Sequence, residues 1–169
     1  CRDGRVFSFK DGRLTNTQIE LETAPVGLVG MTKNPTIYLG TMERAIHCFH
    51  IKGKKYFTKM MPADIVCIEK FYYKSNPEAE GLLVALKNGD IRLLNGKAGE
   101  LIHTLNVPNE TVCGMKFGTV FRENMLAVTF NSGAFMLKAL SRAPDLTKPV
   151  ANAGPPEEQD IPLQIPKKT

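Results

Sequence analysis

Gly81-Leu-Leu-Val-Ala-Leu-Lys-Asn-Gly-Asp-Ile-Arg-Leu-Leu94 is the stretch that decides how this chain folds. A continuous apolar run, a break at Lys87-Asn-Gly-Asp90 and a second apolar run describe a β-hairpin whose first strand is buried on both faces. The pattern recurs. Asp3-Gly-Arg-Val-Phe-Ser-Phe9, Glu43-Arg-Ala-Ile-His-Cys-Phe49 and Ser132-Gly-Ala-Phe-Met-Leu137 carry the same turn and following strand, and alignment puts Val6, Ile46, Ile91 and Phe135 in one column at steps of 40, 45 and 44 residues. Seven residues upstream of the last three lies a second column, Leu39, Val84 and Val128, each followed by a small residue, Gly40, Ala85 or Thr129. A further apolar run precedes each of these: Pro25-Val-Gly-Leu-Val29, Asp64-Ile-Val-Cys-Ile68 and Thr111-Val-Cys-Gly-Met115. More polar segments such as Gln18-Ile-Glu-Leu21 and Glu100-Leu-Ile-His-Thr104 close the units.

Four strands in roughly 40 to 45 residues is the period of a β-propeller blade of the WD40 kind. The chemistry agrees with the period. Blades cover one another, so inner and middle strands are apolar on both sides, whereas the outer edge strand needs polar residues. Short segments rich in Val, Ile, Phe and Thr, punctuated by Gly, Asn and Pro, argue against helices. The expected fold is all-β: residues 5–23 form the outer two strands of one blade, 24–61 and 62–106 two full blades, and 110–140 three strands of a last one. Closed propellers have about 4–8 blades, so about three blades make a partial ring. Its two end faces, lined by Phe7, Phe9, Phe135 and Leu137, are expected to be bare. Cys1 in place of Met, with a strand starting at Arg5, predicts that the chain begins within a fold. Residues 1–140 are read as propeller, and 141–169, with Gly154-Pro-Pro156 and Ile161-Pro-Leu-Gln-Ile-Pro166, as a proline-rich linker supporting no packed element.

Composition narrows the function. The 169 residues carry 43% hydrophobic side chains and a net charge of +5, but Lys and Arg are interspersed with Asp and Glu rather than massed in a block, so no nucleic-acid partner is expected. Cys1, Cys48, Cys67 and Cys113 lie far apart, three of them inside apolar segments and none in paired C-x-x-C spacing, a pattern that fits reduced thiols buried in a cytoplasmic protein. No apolar run approaches the roughly 20 residues of a membrane span, and no signal peptide opens the chain.

No catalytic constellation is visible. The phosphate-loop and dinucleotide fingerprints are missing, as is a nucleophile elbow, so neither an enzyme nor a cofactor is expected. In His47-Cys48-Phe49-His50 the strand period turns His47 away from Cys48 and His50, leaving too few ligands for zinc. Asp3, Asp64 and Asp90 fall at repeated turns, where carboxylates bond the local backbone. A metal in a central channel would need acids at the inner-strand ends, where Asp64 and Glu110 stand. Lys52-Gly-Lys-Lys55 reads as a tight basic hairpin able to meet acidic partners or anionic lipid heads, and Asn76-Pro-Glu-Ala-Glu80 as a solvated acidic loop.

Ala24-Pro-Val-Gly-Leu28, Lys52-Gly-Lys-Lys55, Met61-Pro-Ala63, Asn88-Gly-Asp-Ile-Arg92, Leu101-Ile-His-Thr104, Val112-Cys-Gly-Met-Lys-Phe-Gly118 and Arg122-Glu-Asn124 occur in this order. Together with the tail ending Ile165-Pro-Lys-Lys-Thr169, the series resembles the propeller and linker of the Bardet–Biedl syndrome protein 1 family. That resemblance implies a non-enzymatic scaffold subunit of the BBSome, a coat-like complex that carries membrane proteins into and out of cilia. It implies as partners other BBSome subunits and a GTP-bound Arf-like small GTPase, with indirect attachment to ciliary or plasma membrane. The implied locations are cytoplasm, cilium, ciliary membrane and basal body. In that family the GTPase docks where first and last blades meet, which implies Arg122, Lys138 and Arg142 as contacts, with Lys52, Lys54 and Lys55 a further partner-binding set. A generic WD40-like scaffold of another assembly is the alternative.

Overall fold

The computed structural model describes residues 1–72, 80–120 and 122–139, apart from the side chain of Thr17. Arg142, the proline-rich segment 141–169 and most of the acidic loop at 76–80 lie outside the described residues. Thirteen strands and no helix are found among those described. β1 (Arg5–Lys10) and β2 (Arg13–Glu20) form a two-stranded sheet, followed by β3 (Pro25–Gly30), β4 (Thr36–Thr41), β5 (Ala45–His50) and β6 (Lys55–Met60) in a four-stranded one. β7 (Ile65–Tyr72), β8 (Glu80–Leu86), β9 (Asp90–Asn95) and β10 (Leu101–Asn106) make a second four-stranded sheet, and β11 (Val112–Val120), β12 (Glu123–Phe130) and β13 (Phe135–Ala139) a three-stranded one. Every sheet is an antiparallel meander in chain order. These are the expected blades.

Among the described residues three apolar clusters join neighbouring sheets, and the two sequence columns take opposite sides of them. Leu39 faces back onto Ile19 and Val6 of the first sheet, Val84 back onto Tyr38, Ile46 and Cys48 of the second, and Val128 back onto Phe71, Leu83 and Ile91 of the third. Ile46 and Ile91 face forward, each onto the next sheet. Val84 and Val128 are fully buried and Ile91 nearly so, which at roughly 25 cal/mol per Å² of apolar surface makes these interfaces the main source of stability. Phe135, in the forward column of the last sheet, is 63% exposed, and Leu137 and Phe9 are exposed with it. Between the two-stranded sheet and β3 lies a cleft of about 420 Å³, lined by Val6, Phe7, Phe9, Val26 and Leu28.

The glycine after the first middle-strand column position has a steric cause. Gly27 and Gly40 are cross-strand partners, and Ile68 of the next sheet packs into the space they leave. A Cβ on Gly27 would lie 2.7 Å from Ile68 Cγ1, well inside van der Waals contact. Each inner strand also carries a bulge at its start, between Pro25 and Gly27, Ile65 and Cys67, and Val112 and Gly114. A bulge bends the strand and raises its twist.

Candidate protein-interaction surface

Antiparallel alternation puts the turns of all four sheets on two opposite rims. One rim carries the turns β1–β2, β3–β4, β5–β6, β9–β10 and β11–β12; the other carries β4–β5, β8–β9, β12–β13 and the links between sheets. On the first rim Lys10 and Arg13 flank the first turn, Lys33 lies in the second, and Lys52, Lys54 and Lys55 build the third. Lys97 and Arg122 follow in the last two, all of them exposed. Against them stand Asp11, Glu100 and Glu123. The second rim reverses the balance: Asp3, Glu20, Glu22 and Glu43 at one end, and Asp64, Asp90 and Glu110 at the other, face Arg2, Arg5, Arg44 and Lys87. There the opposite charges are joined, Arg5 to Asp3 at 2.6 Å and Arg44 to Asp64 at 2.7 Å, with Lys87 at 3.9 Å from the same carboxylate. No ion pair among the described residues involves Lys10, Arg13, Lys33, Lys97 or the three lysines of the β5–β6 turn.

The β5–β6 hairpin is held from within. His50 N–H donates to Lys54 O and Gly53 N–H to His50 O, both at 2.8 Å, while Lys52 N–H donates to His50 Nδ1 at 3.0 Å. Gly53 takes the left-handed φ of 89° that closes the turn. His50 also stacks edge-on against Tyr56, so the tip presents Lys52, Lys54 and Lys55 between two half-exposed side chains, Ile51 and Tyr56. At the last sheet, register brings Lys138 opposite Leu126 and Ala139 opposite Met125, on the same end as the β11–β12 turn that holds Arg122. Arg122 and Lys138 thus share a corner. Arg122 occupies the left-handed region at φ 74°.

Other expectations need correction. Glu80 is not a solvated loop charge: its side chain is 6% exposed and bonds Lys70 at 2.8 Å. It also accepts the N–H groups of Thr32 and Lys33 at 3.0–3.2 Å, clasping the β3–β4 loop to β8. Burial pushes its carboxyl up, but Lys70 and the N–H groups of Lys33 and Thr32 outweigh burial and hold it below its ordinary value. Asp64 bonds the Arg44 side chain of a neighbouring sheet's turn, and Asp90 accepts the side-chain amides of Asn88 and Asn106, neither bonding its local backbone among the described residues; Cys1 and Cys113 are exposed, the Sγ of Cys113 3.3 Å from Thr129 Oγ1. Cys48 is buried in the second interface, and the Cys67 thiol is pushed up to about 11 by burial, then by Glu69 and Cys113, so it stays protonated and unreactive at neutral pH.

Asp64 and Glu110, the acids at the inner-strand ends, are engaged, Asp64 with Arg44 and Lys87 and Glu110 as acceptor of the Ser132 hydroxyl at 2.7 and 2.9 Å. Among the described residues no three His, Cys, Asp or Glu side chains gather as a metal site. Inter-blade bonds unforeseen in the sequence include Tyr38 Oη to Gly96 O at 3.2 Å, Lys59 Nζ to Gly99 O at 2.6 Å and Lys116 to Glu69 at 2.7 Å.

Consecutive antiparallel meanders, stacked face against face and offering turn-built rims, define a β-propeller module of the WD40 class. The family model of the anaphase-promoting complex subunit 4 WD40 domain matches residues 33–120, just over half of the chain, and the chain belongs to this WD40-domain family. Over 171 aligned residues it is 32% identical to the BBSome complex member BBS1 of Mus musculus and 31% identical to that of Homo sapiens. These alignments take in 100% of this chain but 28% of each relative's length. A crystal structure of BBS1N in complex with ARL6DN superposes with a TM-score of 0.76 at 32% identity, covering 86% of this chain and 43% of that one. BamB from Moraxella catarrhalis superposes at a TM-score of 0.60 with 13% identity over 82% of this chain and 40% of that chain, a likeness of fold alone.

Proposed function

We propose that this chain is propeller from a non-enzymatic scaffold subunit of a BBSome-type trafficking coat, and that it receives a GTP-bound small GTPase of the Arf-like class. The observation that carries this is the solved BBS1N–ARL6DN complex, whose propeller subunit superposes on most of the described blades. The contacts we assign are Arg122 and Lys138 at the shared corner of the last sheet, with Arg142 beyond the described residues. Desolvated charge pairs at an interface are sensitive: removing one partner costs about 2–5 kcal/mol, whereas exposed pairs contribute less than about 1 kcal/mol. Work of this kind would place the protein in the cytoplasm and at the ciliary membrane, alongside other coat subunits.

The test compares GTP-bound and GDP-bound GTPase binding to full-length protein carrying Lys138→Glu or Arg142→Glu. Loss confined to the GTP-bound state, with melting unchanged, supports the assignment; undiminished affinity moves the footprint elsewhere. A second reading, a scaffold blade set in an assembly of another kind, is favoured by the match to an anaphase-promoting complex subunit's domain. Identifying the subunits that co-purify with the tagged full-length protein separates the two.

A further inference from the structure

We propose that the basic rim rests on an anionic lipid bilayer, with the β5–β6 hairpin as its leading contact. Three observations converge. Basic side chains outnumber acids eight to three across the described turns of this rim, against four to seven on the other. On the opposite rim Arg5, Arg44 and Lys87 are each held by an acid, while the lysines of this rim stand in no ion pair among the described residues. The hairpin tip is also amphipathic, setting the half-exposed Ile51 and Tyr56 beside Lys52, Lys54 and Lys55.

Distribution favours a bilayer over an acidic protein. A protein partner is recognised by a compact patch of directed pairs around a buried centre. Here the charges sit singly or in a small group at the tips of turns from all four sheets, an extended array. Such an array suits a diffuse negative surface, where each Lys or Arg contributes about 1 kcal/mol without a fixed partner. Tyr56 and Ile51 supply what headgroup-level contact uses, an aromatic ring with a polar end and a short apolar side chain. The hairpin's internal bonds keep the tip ordered before contact, so little entropy is lost on landing. No helix among the described residues is long and apolar enough to cross a membrane, and the contact proposed is peripheral.

The experiment is flotation of full-length protein, without any GTPase, on vesicles of phosphatidylcholine containing about one-third phosphatidylserine, compared with phosphatidylcholine alone. The rim predicts binding to the anionic vesicles only, falling as salt shortens the Debye length. The triple variant Lys52→Gln, Lys54→Gln, Lys55→Gln is expected to lose affinity on the order of a hundredfold, and Ile51→Ser with Tyr56→Ser to remove the part of binding that survives high salt. Lys87→Gln, on the opposite rim, should leave binding unchanged. Equal partition onto neutral vesicles, salt-independent binding by the unaltered protein, or an equal loss for Lys87→Gln would each overturn the proposal. So would a triple variant that loses a protein partner while floating normally, the result expected of an acidic protein surface. Because the salt dependence is read on the unaltered protein, it stands even if a variant folds poorly. GTPase binding is measured apart from all of this.

Discussion

Ile91 and Phe135 occupy the same column of the repeat, on the same forward face of their sheets, yet one is 2% exposed and the other 63%. Nothing in their local sequence separates them. What differs is the sheet that covers each: Ile91 packs with Val112, Phe117, Leu126 and Val128 of the next sheet, and Phe135 has no such neighbour among the described residues. In a stacked architecture burial is conferred by the next repeat rather than by the residue's own strand.

Truncation should therefore act very unequally on the two. Ile91→Ala is expected to destabilise by about 2–5 kcal/mol and Val84→Ala by somewhat less. Phe135→Ser in this chain should change stability by less than about 0.5 kcal/mol while reducing self-association. Denaturant unfolding and light scattering check both halves, and equal losses at Ile91 and Phe135 would break the comparison.

The next effect lies between the same sheets but is polar. Glu80→Gln removes the charge that Lys70 and two backbone N–H groups address, and is expected to cost about 1–3 kcal/mol. Its pH dependence has a definite sign. A carboxyl held low in the folded state contributes fully above its unfolded value near pH 4.3, and that contribution disappears as pH falls through the lowered folded value. The variant should lose this part of the acid-unfolding limb, which urea titrations at several pH values would reveal.

A smaller pair sharpens the comparison at the turns. Gly4, Arg44, Gly89 and Gly133 are equivalent, each two residues before the forward column, and all have left-handed backbones with φ between 65° and 90°. Gly89→Ala should cost about 1–2 kcal/mol, because its Cβ would sit 2.7 Å from Val107 O. Arg44→Gly relieves the same strain but gives up an exposed ion pair with Asp64, and the two nearly cancel, within about 0.5 kcal/mol. Thermal melts that rank these two in the opposite order would mean that the turns are not equivalent.

The fold was legible because the repeat is written in two independent channels, turn chemistry and apolar columns, and both gave the same blade boundaries that the strands follow. Phe135 and Leu137 could be placed on an uncovered face, since among the described residues nothing follows their column; Phe7 and Phe9 could not, for they line the cleft toward β3 of the next sheet, and Phe7 is partly buried there. Glu80 was not legible. Its partners Thr32 and Lys33 lie nearly 50 residues away and are recruited through backbone N–H groups, which no side-chain pattern encodes. The same holds for Tyr38 on Gly96 and Lys59 on Gly99, where the acceptors are carbonyls. The basic hairpin could be read locally, but the rim to which it belongs could not: that depends on knowing which turns share an end of the meander.

The two columns also give every blade a front and a back that are not alike. Leu39, Val84 and Val128 look backward, while Ile46, Ile91 and Phe135 look forward, so successive blades join as head to tail. A head-to-tail contact has no internal reason to stop; it ends only when the last unit meets the first, and otherwise it propagates. Any forward face of this kind that is left without a following blade is open to the back of another molecule. The same contacts that build a discrete ring then become the subunit contact of an open polymer, whose length is set by concentration rather than by geometry.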